Sequence, residues 1–284
     1  MKILSFDIED WFHILDNDST KSVDSWSRFE SRIDEGVSRI IDLLQETDQK
    51  ATFFCLGWVA KEHPSVIQKI VNSGYQVASH SMNHQLVYEQ TPEVFRKDLS
   101  ESVKVLEDVS GKQVSMYRAP GFSITDECLW AFDIMEEEGI EIDCSIFPAS
   151  RAHGGMKSYG VAEPSIIQRN GYSLKSFPIN TKSLLGRDLI YSGGGYFRLL
   201  PKYLISKFFS DDDYVMTYFH PRDFDSEQPL VPGLGLTRRF KSYVGIKGAL
   251  SKLKYLLQNN TFMDLEEAAN IIDWKYAKVV DLND

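Results

Sequence analysis

Lys2-Ile3-Leu4-Ser5-Phe6-Asp7-Ile8-Glu9-Asp10 is the stretch that decides the fold. An apolar run that ends in three carboxylates reads as a buried strand whose last residues emerge at a sheet edge. Two later stretches have the same form. Tyr75 to Ala78 is a short strand that runs into His80-Ser81-Met82-Asn83-His84, and the apolar run from Asp213 to Phe219 delivers His220. Titratable groups at the ends of several strands are how a barrel or an open α/β sheet assembles a site.

Working outward, helical and strand signals alternate, which predicts βα units and a largely parallel sheet, an α/β fold. Ile33, Val37, Ile40, Ile41 and Leu44 follow a helical period, and Ala51 to Leu56 is the next buried strand. Val66, Ile67, Ile70 and Val71 mark a helix that Gly74 stops. Thr91-Pro92-Glu93 supplies an N-cap, a proline at the first helical position and an acid in the first turn, and Gly111 closes that helix. Met116-Tyr117 is a strand ending at Arg118, and Thr125-Asp126-Glu127 opens a helix that ends near Gly139. Between about 149 and 201 the glycines multiply, which predicts a loop and hairpin insertion that shapes a groove within one domain spanning 1–284. A basic helix and a last βα pair from Phe262 follow.

The 284 residues are 43% hydrophobic and 25% charged, ordinary for a globular chain with a sizeable core. No apolar run approaches the eighteen or so residues of a membrane span. Asp7 arrives before a signal-peptide core could form, so a cytoplasmic location is expected, with peripheral membrane contact as its extension. Cys55, Cys128 and Cys144 are odd in number and flanked by apolar residues, and are expected as reduced, buried thiols. A net charge of −10 argues against nucleic acid as a partner. Leu236 to Asn260 departs from that balance, carrying Arg238, Arg239, Lys241, Lys247, Lys252 and Lys254 with no acid. It reads as a solvated helix face or as a surface for an anionic lipid or diphosphate.

Asp7 and Glu9 project to one face of an extended strand. Three acids beside a buried strand need positive compensation, which a metal ion would supply. A solvated acidic loop is the other reading. His80 and His84, one helical turn apart, can both reach one ion at about 2.0–2.1 Å, or can be structural histidines. Arg118, at a strand end, could orient a carboxylate through a bidentate pair or lie on a surface turn. His220 follows a run too apolar to be exposed, where its pKa moves easily across neutrality. His13 is near enough to the acidic cluster to support it, whereas His63 and His153 read as surface or loop residues.

Taken together, Phe6-Asp7-Ile8-Glu9-Asp10-Trp11, Thr52-Phe53-Phe54, His80-Ser81-Met82-Asn83-His84, Arg118-Ala119-Pro120-Gly121 and Tyr218-Phe219-His220-Pro221 resemble the NodB-type polysaccharide deacetylases, carbohydrate esterase family 4. The resemblance covers about Lys2 to Asn270. Ser192-Gly193-Gly194-Gly195-Tyr196-Phe197-Arg198 looks like a signature of the subgroup found in exopolysaccharide and O-antigen loci.

The resemblance implies a distorted, incomplete (β/α) barrel with its site at the C-terminal strand ends. It implies Asp7 as general base, Arg118 as the residue holding it, His220 as general acid, and His80 and His84 as metal ligands. The family pattern has two adjacent aspartates, whereas Ile8 follows Asp7 here, so the carboxylate ligand is Glu9, with Asp10 as the alternative. Asp143 lies in the region of the family's fourth motif, where the match is weak. The cofactor implied is a divalent metal, zinc first, with cobalt, nickel, manganese or iron also able to fill a His₂-carboxylate set. The expected reaction removes the N-acetyl group of an amino sugar in a bacterial surface polysaccharide or its lipid-linked precursor, with a backbone N–H of Ser145-Ile146 assisting the oxyanion. Trp11, Phe12, Pro120, Phe122, Tyr196 and Phe197 flank motif residues and are expected to meet the sugar. The rivals are another amidohydrolase on the same barrel, a deformylase or cyclic amidase, and a glycan-binding protein without turnover. Sequence leaves the oligomeric state open.

Overall fold

The N-terminal run forms a strand in two pieces, β1 (Lys2–Ile3) and β2 (Ser5–Ile8), and β2 is buried along its whole length. The computed structural model describes residues 1–15, 17–149, 154–184 and 187–283. β2 pairs in parallel with β3 (Thr52–Cys55), β3 with β4 (Gln76–Ser79), β4 with β5 (Met116–Tyr117) and β5 with β6 (Ile142–Asp143). β6 continues in parallel to β8 (Tyr172–Ser176), whose antiparallel partner β7 (Ser165–Arg169) takes β12 (Lys278–Asp281) in parallel. On the other side, β1 pairs in parallel with β11 (Val215–Met216), and Phe6 bridges Phe219. β9 (Lys182–Leu184) and β10 (Arg187–Leu189) form a separate antiparallel pair. This mixed α/β, mostly parallel arrangement is the distorted, incomplete (β/α) barrel expected.

The helices between these strands are α1 (Val23–Trp26), α2 (Ile33–Thr47), α3 (Gly57–Glu62), α4 (Pro64–Asn72), α5 (Pro92–Ser110) and α6 (Trp130–Glu137). After β10 come α7 (Gly194–Leu199), α8 (Lys202–Asp211), α9 (Leu236–Tyr243), α10 (Ile246–Asn259) and α11 (Leu265–Ile271). Strand alternation sorts the core into layers. Phe6, Ile8, Phe53 and Cys55 pack outward against Val37, Ile40 and Leu44 of α2, Ile67 and Ile70 of α4, and Leu253 and Leu256 of α10. Phe54 and Ala78 point the other way and join Met216, Tyr218 and Phe177. Each such side chain, fully buried, contributes about 1.5–3 kcal/mol relative to exposure. The start of α5 is as expected: Thr91 accepts the N–H of Val94, Pro92 opens the helix, and Gly111 ends it at φ 66°.

Three expectations need correction. The segment from 149 to 201, expected as a loop and hairpin insertion, contributes its hairpin β7–β8 to the main sheet. The basic stretch is two helices, broken where Gly245 adopts φ 76° against the carbonyl of Arg198, a close approach that a Cβ would obstruct. Within it, Lys252 is no solvated charge. Its Nζ donates to the carbonyls of Phe197, Arg198 and Leu200 at 2.7, 3.0 and 2.6 Å and so ties off the end of α7. The three cysteines are free and buried. Among the described residues no helix is long and apolar enough to cross a membrane.

Candidate active site

Asp7 closes the inward face of β2, and its Oδ1 accepts a hydrogen bond from Arg118 Nη1 at 2.5 Å. Arg118, just past β5, is fully buried; its Nη2 donates to Ser5 Oγ at 2.9 Å and its guanidinium lies 4.0 Å over the Phe54 ring. A cation fixed on three sides fixes its carboxylate in turn, leaving Asp7 Oδ2 directed toward His220 Nε2, 3.8 Å away.

Glu9, one residue beyond β2, sits with Oε2 at 2.6 Å from His84 Nε2 and Oε1 at 3.4 Å from His220 Nε2. Glu9 Oε2 is buried, and its close polar contact is the His84 ring nitrogen. Burial works to raise its pKa, but His84 above all, with His220 and His80, holds it well below the usual carboxylate range. His80 Nδ1 bonds the carbonyl of Arg118 at 2.8 Å, so the proton is on Nδ1 and the lone pair is on Nε2. Burial lowers the His80 pKa to about 4 and keeps the ring neutral. One donor atom each from Glu9, His80 and His84 lie within 4.8 Å of one another. Two imidazole nitrogens and a buried carboxylate oxygen are the donor set a divalent cation takes, and the residues fit that group.

The two histidines do not meet across a helical turn. Residues 80–84 form a loop with left-handed backbone at Ser81 (φ 73°) and His84 (φ 53°). Asp98 of α5 accepts the N–H groups of Met82 and Asn83 at 2.8 and 3.2 Å, and Ser81 Oγ accepts that of His84 at 3.0 Å. These bonds hold a backbone that L-residues otherwise avoid.

His220 is held from the far side. Asp223 Oδ2 accepts from His220 Nδ1 at 3.1 Å and from its backbone N–H at 3.0 Å, while Asp223 Oδ1 pairs with Arg198 Nε at 3.2 Å. Arg198 also donates to the carbonyls of Ser242 and Lys241 at 2.5 and 3.0 Å, linking α7, α9 and the His220 segment. Burial alone would lower the His220 pKa; the Asp223 hydrogen bond and the charges of Glu9, Asp223 and Asp7 outweigh it and raise it to about 9. Sequence reasoning missed Asp223 and Arg198 as partners. Arg198 ends the triple-glycine motif, and Asp223 stands three residues after His220.

Asp7, Glu9, His80, His84 and His220 line one cavity of about 230 Å³, with Phe122 and Tyr218 in its wall. Asp10 faces elsewhere: its oxygens accept from Ser31 Oγ at 2.5 Å, Trp11 N at 2.9 Å and Arg32 N at 3.1 Å, at the start of α2. Trp11 and Phe12 are core residues packed with Phe29, and Trp11 Nε1 is used by the Glu30 carbonyl, so neither offers a face to sugar. Phe197 is likewise core. Pro120 is buried beside the cavity residues Ala119 and Gly121, and Tyr196 is 49% exposed on α7. His13 is buried, and its Nδ1 accepts the N–H of Asp10 at 3.0 Å. His63 is half-buried between α3 and α4; His153 lies outside the described residues. Asp143 does not reach His220: it accepts from Ser145 N and Ser176 Oγ, both at 2.9 Å. The Ser145 N–H expected at the oxyanion is thereby already committed.

Residues 19–140 match the polysaccharide deacetylase family, and residues 144–270 match a family described as a domain of unknown function (DUF3473). A peptidoglycan-N-acetylglucosamine deacetylase of Bacillus cereus is 24% identical over 121 residues, 38% of this chain and 44% of that protein. The chain spans less than half the length of the curated relatives it first matches. Among solved structures, a candidate polysaccharide deacetylase from Mycobacterium smegmatis superposes with a TM-score of 0.67 at 16% identity, covering 98% of this chain and 91% of that one. Puue allantoinase gives 0.59 at 14% identity, covering 94% and 88%. These structures establish the fold. The chain carries a polysaccharide deacetylase domain of the NodB type, carbohydrate esterase family 4.

Proposed function

We propose that this chain is a metal-dependent deacetylase that hydrolyses the N-acetyl group of an amino sugar in a bacterial surface polysaccharide or its lipid-linked precursor. The observation that carries this reading is the meeting of Asp7, Glu9, His80, His84 and His220 around one cavity. Glu9, His80 and His84 would hold the cation, zinc first, with cobalt, nickel, manganese or iron as alternatives. A divalent cation held there supplies Lewis acidity toward a carbonyl oxygen and brings the pKa of a water near about 7.

The rest of the chemistry belongs to the chain. Asp7, with Oδ1 held by Arg118, takes the proton of the attacking water on Oδ2. His220, protonated and held through Nδ1 by Asp223, gives its Nε2 proton to the amine nitrogen as the amide C–N bond breaks. The products are acetate and the free amino sugar. Acid–base assistance of this kind is worth about 10²–10⁴-fold. Phe122 in the cavity wall and the exposed Tyr196 are the aromatic faces available to the sugar. The exposed Leu236 and Phe240 on the basic helix α9 support a peripheral contact with the inner membrane, from a cytoplasmic chain working as one unit over 1–284.

The shared fold with an allantoinase keeps opening of a cyclic amide as the second reading. The test pairs elemental analysis of protein purified without chelator with acetate assays on N-acetylglucosamine oligomers. Near-stoichiometric metal is expected in the unaltered protein and in Asp10→Ala, and its loss in Glu9→Ala and His80→Ala. Protein that takes up no metal when zinc or cobalt is supplied would sink the reading. Metal-loaded protein that opens cyclic amides and releases no acetate would move the second reading to first place.

A further inference from the structure

The catalytic cavity has a cationic wall that the reaction does not use. Arg222, Arg238 and Ser242 line it together with the carboxylates and imidazoles. Arg222 comes two residues after His220, yet its guanidinium donates no hydrogen bond and makes no ion pair within 4 Å among the described residues. Its Nη2 is buried with no partner at all, and the nearest aromatic contact is the Tyr243 ring, 5.9 Å from Cζ. Burial pushes the Arg222 pKa down, as it must for a cation that has lost water without gaining an acceptor. Arg222 is half-buried as a residue, whereas the two buried arginines described above have carboxylate partners, Arg118 in Asp7 and Arg198 in Asp223.

Arg238 comes from a different element, α9, and donates to the Leu15 carbonyl, which sets that helix against the Ile14-Leu15 rim of the same cavity. The segment 236–260 that brings it carries six basic residues and no acidic one, in a chain of net charge −10. A guanidinium fork with unused donors is shaped for the paired oxygens of a carboxylate or phosphate, and a neutral glycan offers nothing equivalent.

We propose that Arg222, with Arg238 in the wall of the same cavity, is a subsite for an anionic group, a carboxylate or a phosphate, carried by the glycan next to the sugar whose amide is cut. The inference rests on the deacetylase reading and narrows its substrate to acidic glycans or phosphate-linked sugars.

Calorimetric binding to the zinc-supplied protein tests it with three probes. Hyaluronan tetrasaccharide places glucuronate carboxylates beside N-acetylglucosamine, UDP-N-acetylglucosamine places a diphosphate there, and chitotetraose carries no charge. At least one anionic probe is expected to bind about tenfold or more tighter than chitotetraose, the scale of one charge-assisted hydrogen bond. The margin should disappear in Arg222→Gln, persist in part in Arg222→Lys, and shrink with salt. Preference for the tetrasaccharide assigns a carboxylate, and preference for the nucleotide sugar assigns a phosphate. Equal binding of all three probes, or an undiminished margin in Arg222→Gln, would overturn the subsite. Should that variant fail to fold, the three-probe comparison in the unaltered protein decides alone. Acetate release from the same probes reports separately on the reaction: a binding margin without acetate counts against the deacetylase, and acetate without a margin counts against the subsite.

Discussion

At His220 two opposed effects meet. Burial favours the neutral ring, while Asp223, Glu9 and Asp7 favour the cation and prevail, leaving a pKa of about 9. Because this lies above the ordinary value of about 6.5, protonated His220 stabilises the cation-free fold fully below pH about 6.5, and that contribution is lost as pH rises through about 9. In chelator-treated protein, NMR titration of the His220 ring should show the raised value, and Asp223→Asn should bring it down toward 6.5. The same variant should pull the alkaline limb of acetate release to lower pH; an unmoved limb would remove Asp223 from the role given to it. Arg118→Met is expected to cost about 3–5 kcal/mol in urea unfolding, because Asp7 is left as an uncompensated buried charge. Asp7, Arg118 and His220 were legible in sequence because each is a polar residue standing where an apolar strand ends. The Arg198–Asp223 pair was not: nothing local says that an arginine on one helix will find an aspartate in another segment.

Among the elements, the loop from His80 to His84 shows why spacing can be right for the wrong reason. Four residues suit one helical turn, but the strand delivers His80 in extended backbone, and two left-handed residues then fold His84 back. Glycine is the usual sign of such backbone, and none stands there, so the sequence carried no warning. Asp98, on a helix remote in sequence, does the holding. The basic stretch misled in a similar way. Lysine reads as surface, yet Lys252 lies under the end of α7 with its charge met by three carbonyls. Lys252→Met should therefore destabilise the fold by about 1–3 kcal/mol through unsatisfied acceptors, measured by denaturant midpoint, and should slow acetate release because Arg198 sits on the same turn. A variant as stable and as active as the parent would refute that coupling.

For the molecule as a whole, the barrel order was readable because parallel strands buried on both faces leave near-continuous apolar runs between helical periods. The second half was less so, since its strands are short and β7–β8 runs against the grain of the sheet. If Glu9, His80 and His84 take a cation only when brought together, cation binding is folding energy. Zinc at a thousand times its dissociation constant should then add about 4 kcal/mol of stability, read as a rise in melting temperature. Glu9→Ala should abolish the rise, and Asp10→Ala should keep it while melting lower than the parent, having lost its bonds at the start of α2.

The first strand of the chain finds its neighbours near the other end. Ile3 pairs with Met216 and bridges Met263, and Ser5 is bonded to Thr217. On a ribosome, which releases the chain from its N-terminus, β1 and the flank of β2 must wait until the 215–263 segment has been made. Asp7 and Glu9 leave early, whereas His220 and the Asp223 that charges it follow only after three quarters of the sequence. His220 thus comes to face Asp7 and Glu9 only after those carboxylates and the His80 and His84 imidazoles have been made. The cavity is completed late, by the same segment whose strand pairs with β1.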